Sequence, residues 1–279
     1  MVNLTRFQSL LRRYPLHKET PQLFYRSLAY RAANMNPLTE QQQQERAEEV
    51  TYNLKQVVER VKSATPEKQN ARLVAVSKIK PASDVLAAYN AGQRHFGENY
   101  VQELVEKSEE LPKDIAWHFI GTFQSNKAKL LAAIPNLWAV ETIDSEKKAR
   151  LLNKACEDVE RVEAIRVYVQ VNTSGEETKS GVEPKEILPL AEYITKSCSK
   201  LQLNGLMTIG APDMPDDATE NPDFKLLSEC RDNLQKELGV DGLELSMGMS
   251  GDYELALKQG SNNVRVGSSI FGARPKKTD

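Results

Sequence analysis

A chain of 279 residues with 37 Lys+Arg against 39 Asp+Glu, a formal net charge of −2, has no global basic field to recruit nucleic acid. No apolar run reaches the roughly 18 residues that a membrane-spanning helix needs. Cys156, Cys198 and Cys230 are far apart and form no CxxC pair, which argues against a disulfide framework, and His17, His95 and His118 cannot build a zinc site alone.

The start of the chain stands apart. Arg6, Arg12, Arg13, Lys18, Arg26 and Arg31 face a single acid, Glu19. Arg-rich, acid-poor segments read as mitochondrial transit peptides; a basic tail, or an upstream extension with Met35 as the start, reads equally from the same residues. Residues 1–36 are set aside from the fold, and 38–275 is taken as one domain.

The spacing predicts a helix over Glu40–Lys62, with Ala47, Val50, Leu54, Val57, Val58 and Val61 on one face. Strands are then predicted at Leu73–Ser77, Arg94–Gly97, Ile115–Ile120, Leu137–Glu141, Ile165–Asn172, Leu203–Thr208, Leu243–Ser246 and Asn262–Gly267. Several are apolar almost throughout, as strands buried on both faces are. Helical stripes lie between them, among them Leu152, Ala155, Cys156 and Val159, with Asp144 as expected N-cap, and Leu227, Cys230, Leu234 and Leu238. The cysteines fall in helical patterns and are expected to be buried and inert. A longer acidic loop runs from Ala211 to Pro222. Strict alternation implies a parallel sheet, and eight strands suggest closure into a single (β/α)8 TIM-type barrel; an open doubly wound sheet is the alternative.

In such a barrel the working face lies at the C-terminal strand ends. The first strand ends there in Ser77-Lys78, with Lys80 close behind. Either lysine could form a Schiff base, and pattern does not choose between them. After strand seven comes Ser246-Met247-Gly248-Met249-Ser250-Gly251, and after strand eight Gly267-Ser268-Ser269. Small residues let backbone N–H groups approach an anion, and loops seven and eight are where these barrels often bind phosphate. Arg265, flanked by valines, either snorkels outward or needs an acceptor inside: a pyridine nitrogen, Glu98 or Glu141. His118 reads as a core histidine or a base, and Met207 as wall.

Val76-Ser77-Lys78 with Pro81, Phe96 to Glu103, Trp117 to Gly121 with Gln124, Asn126 and Lys127, Gly205-Leu206-Met207, Ser246 to Ser250, and Val264 to Gly267 with Ile270-Phe271-Gly272 together resemble the pyridoxal phosphate homeostasis proteins, the fungal members above all. The resemblance implies a barrel similar to the alanine racemase N-terminal domain. It implies pyridoxal 5′-phosphate as cofactor, with Lys78 as its Schiff-base lysine and Arg265 at the pyridine nitrogen. Asn99 would lie near the ring, Met207 would form part of the wall, and Ser246, Met247, Gly248, Ser250, Gly267 and Ser268 would surround the phosphate. It further implies intracellular homeostasis of vitamin B6 with no established reaction and no catalytic residues, and PLP-dependent apo-enzymes as partners.

Two enzymatic alternatives compete: an amino-acid racemase and a Schiff-base aldolase. A racemase of similar fold carries a second domain after the barrel, for which the stretch ending at Asp279 leaves no room, and a cation beside the ring nitrogen weakens the electron sink. A monomer is expected, in the cytoplasm or, if the first segment targets it, in the mitochondrion.

Overall fold

The computed structural model describes residues 39–176, 179–210 and 219–273. The expected basic extension therefore lies outside the described residues, as does most of the acidic loop.

Eight parallel strands close into a barrel in sequence order. They are β1 (Arg72–Val76), β2 (His95–Glu98), β3 (Ala116–Phe119), β4 (Leu137–Ile143), β5 (Ile165–Gln170), β6 (Leu201–Met207), β7 (Glu244–Ser246) and β8 (Asn263–Val266). Each coincides with an expected strand to within two residues at either end. β8 closes on β1 through Arg72↔Asn263 to Ala75↔Val266. The intervening helices are α2 (Ala82–Asn90), α3 (Val101–Glu110), α4 (Ala128–Ala133), α5 (Glu146–Asp158), α6 (Ile187–Ser197), α7 (Pro222–Leu238), α8 (Tyr253–Lys258) and α9 (Ser268–Phe271). The main core fills the layer between strands and helices, where Phe96, Trp117, Val140, Leu206, Leu245 and Val264 are all buried.

The leading helix α1 (Glu40–Ala64) opens on a capping box in which Thr39 and Gln42 exchange hydrogen bonds. Its Val50, Leu54, Val57 and Val61 face inward, as the spacing predicts, whereas Val58, expected on the same face, is exposed because it lies one residue round from Val57. Arg46 fastens it to the barrel, donating to Asp84 at 2.7 Å and to the Phe271 carbonyl at 2.8 Å. Asp144 is not the cap of α5. Ser145 takes that place, accepting from Lys148 N, while Asp144 pairs with the Lys148 amine at 2.6 Å. A carboxylate one residue too early meets the lysine side chain before the helix backbone.

Cys156 and Cys198 are buried and Cys230 partly so; burial pushes the Cys156 thiol up to about 11. No helix among the described residues is long and apolar enough to cross a membrane. Among the same residues, no cluster of three His, Cys, Asp or Glu side chains could hold a metal.

Candidate functional site

Strand register decides which residues meet at the C-terminal mouth. Val76 pairs with Gly97, and Ala75 with Val266. Lys78, two residues past Val76, therefore stands level with Asn99 on one side and with the Ser268-Ser269 turn on the other. Gly267 makes this neighbourhood possible: a Cβ there would sit 3.2 Å from the Val76 carbonyl oxygen. Arg265 N donates to the Gly248 carbonyl at 3.0 Å, which sets the turn after β7 beside the end of β8.

The barrel interior is polar. Arg265 points inward, 4 % exposed. Its guanidinium donates to Ser246 Oγ at 2.6 Å and to the Thr208 carbonyl at 2.7 Å. Ser246 Oγ in turn donates to Glu141 at 2.5 Å and accepts from Asn263 Nδ2 at 3.1 Å. Glu141 also receives Asn263 Nδ2 at 2.9 Å and His118 Nδ1 at 2.5 Å. His118 Nε2 lies 2.9 Å from His95 Nδ1. His95 lines a cleft of about 1310 Å³ at the other, N-terminal, end of the barrel.

The protonation states of this chain follow from its surroundings. Burial alone would push the Glu141 carboxyl up, but His118, Arg265 and Ser246 outweigh it and bring it down to about 2. Burial lowers His118 despite Glu141, and burial together with His118 lowers His95 to about 3. Both imidazoles are therefore neutral at pH 7. Glu141, ionised, accepts, so His118 carries its proton on Nδ1 and leaves Nε2 to accept from His95 Nδ1–H. The buried Arg265 cation and Glu141 anion are joined through one hydroxyl.

Below this layer, Arg72 makes a bidentate pair with Glu244 at 2.6 and 3.0 Å, and Tyr168 donates to the same carboxylate at 2.6 Å. Arg72 and Arg166 flank Trp138, 4.3 and 4.6 Å from its ring centroid. Arg72 and Glu244, with His95, also line the cleft at the N-terminal end.

The expected site residues fall into two groups. Lys78, Asn99, Gly248, Ser250, Gly267 and Ser268 belong to the strand-end turns at the mouth. The Gly248, Ser268 and Ser269 backbone N–H groups meet no acceptor among the described residues, and Ser250 Oγ accepts from Gly267 N at 3.1 Å, which leaves its own proton to donate. Gly248 has φ +95°, and a Cβ there would come 2.5 Å from the Ala256 Cβ; only glycine fits the turn. Asn99 Oδ1 is buried without a partner, beside a cavity of about 250 Å³ that Gln170 and Thr208 also line.

The second group lies deeper. Ser246 is wholly buried and its proton goes to Glu141, so its hydroxyl serves Arg265 and not the turn above. Met247 packs its side chain into the outer core and spends its N–H on the Asn263 carbonyl at 3.2 Å. Met207 packs with Ala139 and Tyr168 inside the barrel, a wall as expected. The alternatives left open for Arg265 also separate: Glu141 is its charge partner through Ser246, whereas Glu98 faces the helix layer, 2.6 Å from Lys107. Lys80, whose amine burial and Arg46 lower, reaches the Ala273 carbonyl at 3.1 Å, outside the barrel.

The family model described as the alanine racemase N-terminal domain matches residues 45–275. The pyridoxal phosphate homeostasis protein of Schizosaccharomyces pombe is 55 % identical over 207 residues, 74 % of this chain and 86 % of that protein. PipY of Synechococcus elongatus, solved with PLP bound, is 32 % identical with a TM-score of 0.67, covering 80 % of this chain and 100 % of that one. An alanine racemase of Clostridium difficile shares the fold alone, at 16 % identity and a TM-score of 0.60 over 81 % of this chain and 58 % of that enzyme. The chain belongs to the family of pyridoxal phosphate homeostasis proteins, on the barrel of the alanine racemase N-terminal domain.

Proposed function

We propose that the protein binds pyridoxal 5′-phosphate as a Schiff base on Lys78 and serves the intracellular homeostasis of this cofactor without turning over a substrate. The observation that carries the reading is Arg265, a cation held inside the barrel mouth by Ser246 and the Thr208 carbonyl, with further N–H donors left for a ligand.

The residues present fit the group. Asn99 Oδ1 is an orphaned buried acceptor at the mouth. The Gly248 turn admits no Cβ, and its N–H, with those of Ser268 and Ser269 and the Ser250 hydroxyl, offers donors to a phosphate. When bound, the cofactor supplies an aldehyde and an electron-withdrawing ring. Lys78 would hold the cofactor reversibly through its amine, the group with which an aldehyde condenses on loss of one water. Arg265 would offer a donor to the ring nitrogen and, as a fixed cation, would disfavour a proton there. That weakens carbanion stabilisation and favours holding over catalysis.

The relatives' name supports homeostasis as the role; in this reading PLP-dependent apo-enzymes would be the recipients. The protein acts as a monomer in this reading, in the cytoplasm, or in the mitochondrion if residues 1–34 direct a fused reporter there. Purified protein loaded with the cofactor should absorb near the visible edge, and Lys78→Ala should abolish that band. It should then reactivate an apo-enzyme on mixing. Racemisation of a common amino acid that depends on Lys78 would overturn the carrier reading. A colourless protein that binds a sugar phosphate would replace it with an aldolase.

A further inference from the structure

Three ionisable side chains are buried just outside the barrel wall, and none of them takes part in the site described so far. Lys107, on α3, is wholly buried, as is Glu98, and Glu103 nearly so. The Lys107 amine contacts Glu98 at 2.6 Å and Glu103 at 2.7 Å. Replacing such a cluster by apolar residues is often neutral or stabilising, so stability is a weak account of it and its contacts are the better guide.

Its other contacts identify a geometric task. Lys107 Nζ donates to the Ser77 carbonyl at 2.8 Å, and Ser77 Oγ donates to Glu98 at 2.7 Å. Glu103 accepts from Ile79 N at 2.7 Å. Ser77 and Ile79 flank Lys78, so the cluster grips the chain on both sides of that lysine. The same Ser77 carbonyl accepts from Lys80 N at 3.0 Å, which closes a β-turn with Lys78 and Ile79 at its centre. Ile79 has φ +62°, in the left-handed region that β-branched residues avoid. A turn with positive φ at its third position favours glycine. Isoleucine is held there against its preference, by an acceptor placed on its N–H.

We propose that the Lys107–Glu98–Glu103 cluster is a positioning device that sets the Lys78 turn and thereby governs how tightly Lys78 retains its ligand. The proposal rests on the Schiff-base reading of Lys78. Burial and the neighbouring Glu98 push the Glu103 carboxyl up to about 8, so Glu103 carries a proton near neutrality and Gln is its close mimic.

The test compares Glu103→Ala, Glu103→Gln, Lys107→Met and Glu103→Ala with Ile79→Gly, all loaded with pyridoxal phosphate. Three quantities are read: the cofactor release rate, the fraction fixed on Lys78 by borohydride, and the melting temperature of the cofactor-free protein. Glu103→Ala and Lys107→Met should release cofactor roughly tenfold faster or more and be fixed less. Glu103→Gln, which keeps an acceptor for Ile79, should stay near wild type. Ile79→Gly should restore slow release to Glu103→Ala, because glycine adopts the turn unaided. Wild-type release and fixation in Glu103→Ala would overturn the proposal, as would faster release that Ile79→Gly leaves unrepaired. If Lys107→Met does not fold, the Glu103 series decides, since it leaves the Lys107–Glu98 pair in place. Absence of fixation on Lys78 in the wild type would instead defeat the Schiff-base reading itself.

Discussion

His118 Nδ1 lies 2.5 Å from the Glu141 carboxylate in the middle of the barrel, and both side chains are wholly buried. The bond makes Glu141 the anion on which the interior charges are balanced, with a neutral imidazole on one side and the Arg265 guanidinium beyond Ser246 on the other.

Removing that anion should therefore cost more than a lost contact. Glu141→Leu leaves the buried Arg265 cation without its nearer counter-charge, with only the weaker pull of Asp252 remaining. The expected loss of stability is about 3–5 kcal/mol, read by chemical denaturation of the cofactor-free protein. Glu141→Gln should cost less, since its oxygen still accepts from one neighbour. Both should weaken cofactor binding, measured by titration of the absorbance band. A Glu141→Leu protein of unchanged stability would mean that the interior is neutralised by some other group.

The neutral histidines predict an acid limb. Folded His95 keeps its proton off down to about pH 3, while the unfolded chain takes one up near 6.5. Between these values the unfolded state holds more protons, so stability is lost as pH falls from about 6.5 towards 3. His118, lowered by burial, acts in the same sense. Glu141, lowered to about 2 from 4.5, adds a further loss below its unfolded value. His95→Gln should flatten the upper part of this limb. At pH 5 its unfolding should take up about one proton fewer than wild type, measurable from stability curves at neighbouring pH values.

A third expectation concerns the backbone at the mouth. Gly121 follows the end of β3, and a Cβ there would overlap the Asn99 carbonyl and lie 2.8 Å from the Asn99 Cα. Backbone cannot yield as a side chain would. Gly121→Ala should destabilise by about 1–3 kcal/mol and also displace Asn99 from the cavity, so cofactor affinity should fall with stability. Retained affinity in a destabilised Gly121→Ala protein would remove Asn99 from the binding site.

The barrel and its turns were legible because alternation, apolar runs and Gly-Ser turns are local. Lys78, Gly248, Arg265 and Gly267 could be placed at strand ends by counting. Counting fails on β4. His118 pairs with Ala139 while Trp117 pairs with Leu137, so one extra residue enters the strand. Leu137 then lies in the outer core but Ala139 inside, and the face of Glu141 cannot be read across the irregularity. Asn263 shared the parity of Arg265 and could have been found by that signal. Met247 was misleading because a strand end and a loop look alike in sequence. The hold of Lys107 and Glu103 on Ser77 and Ile79 joins residues more than twenty positions apart, which no spacing rule connects.

Ser246 Oγ accepts from Arg265 and Asn263 and donates to Glu141. A single atom thus reads three neighbours, so substitutions at these four positions will not act independently. Each alone strands a partner, whereas a concerted exchange of Glu141 and Arg265 for apolar residues of matching volume could restore the fold while abolishing the site. Drift at these positions is therefore epistatic. Their variation among related chains should be correlated, and a homologue that has changed one should have changed the others.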